Sequence, residues 1–277
     1  MKKTTLEREQ HMSNKKFQDI ADKYNLDIKF VTHWAPPSGD DLRPLITMPN
    51  IPRPIQGEGC QPRTIYRPKD WNAMRRACYE KAHDTCEICG ECPEDKRARQ
   101  SHECFVIDYE KGVATFVGCF CLCKKCHLLG IHTGRAITLY SKGSPLISKD
   151  LLLEGAENAF TIISSYNKDH PEADLRAYST FTEYLKHDEL RGPMLELIRT
   201  YGIKFYHEDE SRQAKWKEWS VHLDGEEYPT PYKNEKEWEK AMEKKTYNDK
   251  FGKGVEINVK PLTDEEVKEE HDKLKQF

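Results

Sequence analysis

The stretch Cys121-Leu122-Cys123-Lys124-Lys125-Cys126-His127 decides how this chain is read, and a further histidine follows at His132. Cys123 and Cys126 form a CxxC pair. Upstream, Cys86-Glu87-Ile88-Cys89 forms a second. Four thiolates in two such pairs complete a closed tetrahedron around one soft cation, and zinc is the expected ion. Closed by four cysteines, it keeps no open position and holds the fold without doing chemistry. Eight of the ten cysteines lie between Cys86 and Cys126. That clustering points to metal thiolates in a reducing compartment rather than disulfides. Of the cysteines left over, Cys92 lies close to the ligand set, Cys104 carries no assignment, and Cys119 and Cys121, on one strand face with Cys123, read as small buried hydrophobes.

Between the pairs, two β-like runs at 101–108 and 114–122 flank the turn signal Tyr109-Glu110-Lys111-Gly112. A helix is expected to begin within Lys124-Lys125-Cys126-His127-Leu128-Leu129-Gly130-Ile131-His132. The order is knuckle, strand, turn, strand, knuckle, helix. His102 falls in the first strand, and His127 follows the last zinc cysteine. A histidine at a strand end facing one on a helix can divide two tasks. One deprotonates water, and the other holds a divalent cation that polarises a scissile phosphate.

From about residue 66 to 136 the chain resembles HNH endonucleases of the ββα-metal fold. The matching pieces are Cys-Glu-Ile-Cys (86–89), Ser-His-Glu-Cys (101–104), Leu-Cys-Lys-Lys-Cys-His (122–127) and His132. A tryptophan-bearing helix ahead of the first knuckle and the later 156–167 and 219–223 are similar to a bacterial and phage subgroup. The resemblance implies His102 as general base and His127 as ligand of a catalytic Mg2+ or Mn2+. It implies His132 as second ligand or phosphate contact, and Glu103 as a carboxylate for the same ion. His102 as ligand with another base is the alternative. The pattern departs from the family at Ser101, where an acid or histidine is usual, and at Gly118 and Cys119, where an asparagine is usual. Arg75, Arg76, Lys124, Lys125 and Arg135 are the candidate DNA phosphate contacts.

The rest of the chain surrounds this unit. It has 277 residues, 33% charged and 37% hydrophobic, with net charge −3. That balance excludes an extended non-specific DNA coat but not a local site. Residues 66–136 carry twelve Lys and Arg against ten Asp and Glu. No apolar run is long enough to span a membrane, and the charged start argues against a secretory signal, so the expected location is cytoplasmic. Phe17, Ile20, Ala21 and Tyr24 have helical spacing. The proline-rich stretch that follows reads as an arm, either free to track DNA or strapped to the body. Trp71, Met74, Cys78 and Ala82 mark a helical face. Helices are expected at 148–167 with Ser148 as cap, at 172–186, and from near Pro193 to a stop at Gly202. Residues 215–223 and 226–232 suggest short strands or a loop. Two charged helices finish the chain, opened by Asn234 with Glu237 and by Thr263 with Glu266.

The expected architecture is α+β: an arm and helix (1–65), a zinc-stapled HNH-like unit (66–140), a helical extension (141–225) and charged C-terminal helices (226–277). The expected function is a metal-dependent endonuclease acting on DNA. The competing reading is a catalytically weak or inactive zinc-organised module that binds nucleic acid or a protein partner in a larger assembly. In that case Trp216, Trp219 and Trp238 are candidate interface anchors.

Overall fold

The structure, a computed structural model, describes residues 5–57, 59–93 and 98–247, with side chains from 14 to 241. The chain opens with α1 (Thr5–Tyr24), which buries Phe17 and Ala21 one helical turn apart. Strands β1 (Ile28–Val31) and β2 (His33–Trp34) follow. The proline-rich stretch is a strap and not a free arm. Two 3-10 turns, Arg43–Thr47 and Arg53–Ile55, bury Leu45, Ile46, Met48 and Ile55 against the body. Helices α2 (Pro62–Ile65) and α3 (Pro68–Lys81) each start on a proline, where a missing N–H leaves no bond unmade.

The hairpin of β3 (Gln100–Asp108) and β4 (Val113–Leu122) lies within one residue of the expected strands. Its antiparallel register pairs His102 with Phe120 and Glu103 with Cys119. It shifts between Cys104 and Phe105, leaving Val117 as the extra residue of a bulge. Gly118 sits there at φ +136°, a backbone conformation that a residue with a Cβ rarely adopts.

Beyond the second knuckle come α4 (Thr133–Ser141) and α5 (Lys149–Asp169). Ser148 Oγ accepts from the Leu151 N–H at 3.1 Å, the expected cap. Leu152, Ala156, Phe160 and Ile163 are fully buried along the face that their spacing marks. The helix expected at 172–186 forms only in part, as a 3-10 helix over its second half. Residues 177–178 make a strand, β5 (Ala177–Tyr178), and 179–186 the 3-10 helix. Thr182 Oγ1 bonds the Ser179 carbonyl, and a parallel partner captures Ala177 and Tyr178. Local hydroxyl bonding and strand pairing override helical spacing here. Helix α6 (Asp188–Tyr201) begins five residues before Pro193, which therefore lies inside it. The missing proline N–H costs one bond to the Glu189 carbonyl, in an exposed first turn. Gly202 ends the helix at φ +61°, as expected.

Strands β6 (Phe205–Glu208), β7 (Ser220–Leu223) and β8 (Glu226–Pro229) and helix α7 (Glu235–Tyr247) complete the described chain. Asn234 Oδ1 accepts from the Glu237 N–H, but Glu237 returns its bond to Lys233 N rather than Asn234 N, so the capping box is half formed. The helix expected after Thr263 lies outside the described residues. One sheet has the order β2-β3-β4-β7-β8, and a second, all parallel, has β1-β6-β5. The hairpin thus draws neighbours from residues 33–34 and 220–229, so its sheet crosses the boundaries expected at 65, 140 and 225. Trp219 is buried in the core, and Trp216 stacks on the buried Trp238 with centroids 6.0 Å apart. Trp219 and Trp238 are thus core residues, while Trp216 is half-buried.

Candidate metal centre

Two groups of metal-ligand side chains meet at the knuckle end of the hairpin. Cys86, Cys89, Cys123 and Cys126 hold their sulfurs within 4.8 Å of one another, with Cys89 and Cys123 at 3.7 Å. Thiolates about 2.3 Å from a tetrahedral zinc stand about 3.8 Å apart. The donor set and spacing fit zinc. All four are free thiols, and hydrogen bonds from Cys123, Cys126 and Cys89 favour a thiolate at Cys86. The backbone braces the cage. Glu87 N donates to the Cys121 carbonyl at 2.9 Å, Glu87 accepts from Cys121 N, and Asn158 Nδ2 donates to Cys126 Sγ at 3.8 Å. Cys92 is exposed and outside the group. Cys104 and Cys121 are buried and Cys119 half-buried, with their thiols pushed up by burial.

The second group is His102, His127 and His132, whose ring nitrogens also fall within 4.8 Å of one another. The ring centroids form a triangle of 5.0, 5.0 and 4.6 Å. His102 comes from β3, on the face shared with Phe120. His127 is fixed by the cage, directly after Cys126, with its N–H on the Cys123 carbonyl at 3.0 Å. His132 reaches the group through an unexpected element. Lys125–Ile131 is π-helical, and the His132 N–H donates to the His127 carbonyl at 2.9 Å. In an α-helix, residues five apart point about 140° away from each other. A bond closed over five residues brings them to one face. The sequence predicts a helix here but carries no signal of its π register.

Burial holds all three imidazoles neutral. His102, 9% exposed, is driven well below the ordinary histidine range by desolvation, with His132, His127 and Arg63 adding repulsion. Desolvation lowers His127 to about 3 and His132 to about 4, helped by Arg135 and Arg63. A neutral imidazole keeps the lone pair that a metal needs.

Glu103 does not join this group. Strand alternation turns it to the opposite face of β3, beside Cys119, Arg63 and Arg75. Burial raises its carboxyl pKa; Oε1 has no hydrogen bond and lies 3.8 Å from Arg63 Nε. Without a carboxylate, three imidazoles do not suit Mg2+ or Mn2+, which prefer oxygen ligands; they suit zinc, nickel, iron or copper. Of the expected phosphate contacts, Lys125 is paired with Glu154 at 2.7 Å and Arg75 lies near Glu103, across the strand from the histidines. Arg76 is exposed on α3. Lys124 is exposed beside the knuckle. Arg135 is exposed, has no ion pair among the described residues and acts on both His127 and His132.

Two residues were not foreseen. Arg63 lies close enough to lower all three histidines. Asn50, in the strap, places Oδ1 3.2 Å from His132 Nδ1. They sit 82 positions apart, a separation that no local pattern bridges. A third potential ligand group, His207 with Glu208 and Glu210, reads as a structural network. His207 Nδ1 is 2.8 Å from Ser179 Oγ, and its ring packs 4.1 Å from Phe17. The groove between α5 and α6, about 460 Å3, is lined by Asp150, Glu154, Glu157 and Glu196 and by none of the site histidines. Its charge is the wrong sign for nucleic acid. Among the described residues no helix is long and apolar enough to cross a membrane. No protein family, curated protein or solved structure matches the chain.

Proposed function

We propose that the chain is a metal-dependent phosphodiesterase of the HNH type that acts on DNA, with two metal sites in separate roles. The observation that carries this reading is the convergence of His102, His127 and His132 beside a closed four-cysteine cage. Three protein ligands around one point is the pattern of an open, reactive site, whereas four thiolates make a closed one. Zn2+ would be held by Cys86, Cys89, Cys123 and Cys126 and would fix His127. A second transition ion would be held by the three imidazoles, supplying Lewis acidity toward a phosphodiester and a hydrolytic water at neutral pH.

The assignment of His102 shifts accordingly. It is the most buried of the three histidines and is held neutral, which suits a ligand better than a base working near pH 7. Arg63 and Arg135 bring positive charge to the histidines, and with the exposed Lys124 they would grip the phosphates. DNA as substrate rests on the sequence resemblance at 66–136 together with this charge.

Plasmid cleavage by wild type and His102→Ala tests the reading, with zinc measured on both, in Zn2+, Ni2+, Mn2+, Mg2+ and chelator. The expected result is cleavage by wild type with a transition ion, no cleavage by His102→Ala, and knuckle zinc in both. Zinc in both proteins with cleavage by neither favours the zinc-organised binding module instead.

A further inference from the structure

The strap completes the histidine centre, and one of its residues has a role that the sequence motifs do not assign. We infer that Asn50 is a positioning residue that sets the tautomer and ring orientation of His132, making the proline-rich strap a working part of the metal site. This rests on the proposed reading of the three histidines as ligands.

The geometry is specific. Asn50 Oδ1 lies 3.2 Å from His132 Nδ1. An amide oxygen only accepts, so the proton of the contact belongs to Nδ1. In a neutral imidazole that leaves the lone pair on Nε2, the nitrogen free to bind a metal. Histidines that bind metals are commonly held this way, with the other ring N–H on an oxygen, and loss of that oxygen typically weakens metal binding about 10–100-fold.

The strap is built to hold Asn50 still. Leu45, Ile46, Thr47 and Met48 are at most 4% exposed. Tyr206 donates its hydroxyl proton to the Thr47 carbonyl, anchoring the strap to the parallel sheet. Ile46 packs on the π-helical segment at Gly130, where an added Cβ would meet Ile46 Cδ1 at 2.5 Å. Segment and strap are therefore fitted to each other within the span that separates His127 from His132. A residue on a mobile arm could not fix a tautomer; one on this strap can.

The test uses the full chain with its knuckle zinc in place, comparing wild type, Asn50→Ala and Asn50→Asp. Two readouts are taken: titration of the second site with Co2+ and the nitrogen shifts of His132 before Co2+ is added. The expected result is a 10–100-fold weaker second site in Asn50→Ala, recovery in Asn50→Asp, and loss of the single Nδ1–H tautomer in Asn50→Ala alone. Equal Co2+ affinity in wild type and Asn50→Ala overturns the inference, as does an unchanged His132 tautomer in Asn50→Ala. If wild type takes up no second ion, the three-ligand reading fails on its own, and the nitrogen shifts still decide whether Asn50 sets His132.

Discussion

Gly155→Ala gives a sharp test of how the histidine segment is held. Glycine inside a helix normally costs about 1 kcal/mol relative to alanine, so the substitution in α5 should stabilise the chain if nothing opposes it. Here something does. A Cβ on Gly155 would lie 2.4 Å from Leu129 Cβ, and Leu129 sits between His127 and His132. Carbon contacts settle near 3.5–4.0 Å, so α5 and the π-helical segment must separate by more than about 1 Å. The atom met is the stem of Leu129, not a side-chain tip, so a rotamer change cannot relieve it. Overpacking of this kind costs about 1–3 kcal/mol, which less the propensity gain leaves a net loss of about 1 kcal/mol, or roughly 2–4 °C in Tm. Gly134→Ala in α4 is the control, because its Cβ would come no closer than 3.5 Å to Thr180, an ordinary van der Waals contact. It should be neutral or slightly stabilising. Thermal and urea unfolding of both variants with zinc present decide the matter. A Gly155→Ala chain as stable as wild type would refute the claim that α5 clamps the segment.

Three further outcomes are expected. Cys89→Ser should lose the knuckle zinc and unfold at much lower urea, since binding free energy of a structural zinc is folding free energy; retained zinc by elemental analysis would contradict the four-thiolate cage. Without the second ion, stability should fall on acidification. The buried histidines have folded pKa values depressed below the unfolded value near 6.5, so the unfolded chain binds more protons below that pH. The contribution is complete above about pH 6.5 and is lost downward towards about 4 for His132 and about 3 for His127, at up to about 1.4 kcal/mol per pH unit for each group. Urea midpoints from pH 7 to 5 should therefore fall less steeply in His132→Gln than in wild type. Glu103→Gln should leave Co2+ uptake at the second site unchanged, because the side chain faces away from the histidines; a tenfold loss would return Glu103 to the ligand set.

What the sequence revealed follows from how local each signal is. The two CxxC pairs, the hairpin and the cap at Ser148 are written within a few residues of where they act, and each forms within a residue or so of its expected place. His127 is tied to the cage by adjacency and His102 reaches it through the hairpin, so their meeting is legible in the sequence. Strand alternation, applied to Ser101-His102-Glu103, already puts Glu103 on the far face of β3, and the motif resemblance masked that simple rule. The π register at 125–131, the contact of Asn50 with His132 and the approach of Arg63 depend on how distant segments pack. So do the strand at 177–178 and the sheet partners of the hairpin. Hydrophobic period and capping residues carry no information at those distances.

X-ray absorption at the zinc edge, on protein loaded with two equivalents of Zn2+, tests the central claim of two sites with different donors most directly. Two ions per chain are expected, with a sulfur shell near 2.3 Å from the cage and a separate nitrogen shell near 2.0 Å with imidazole scattering that His102→Ala reduces. One tightly held ion with a sulfur shell alone would contradict it.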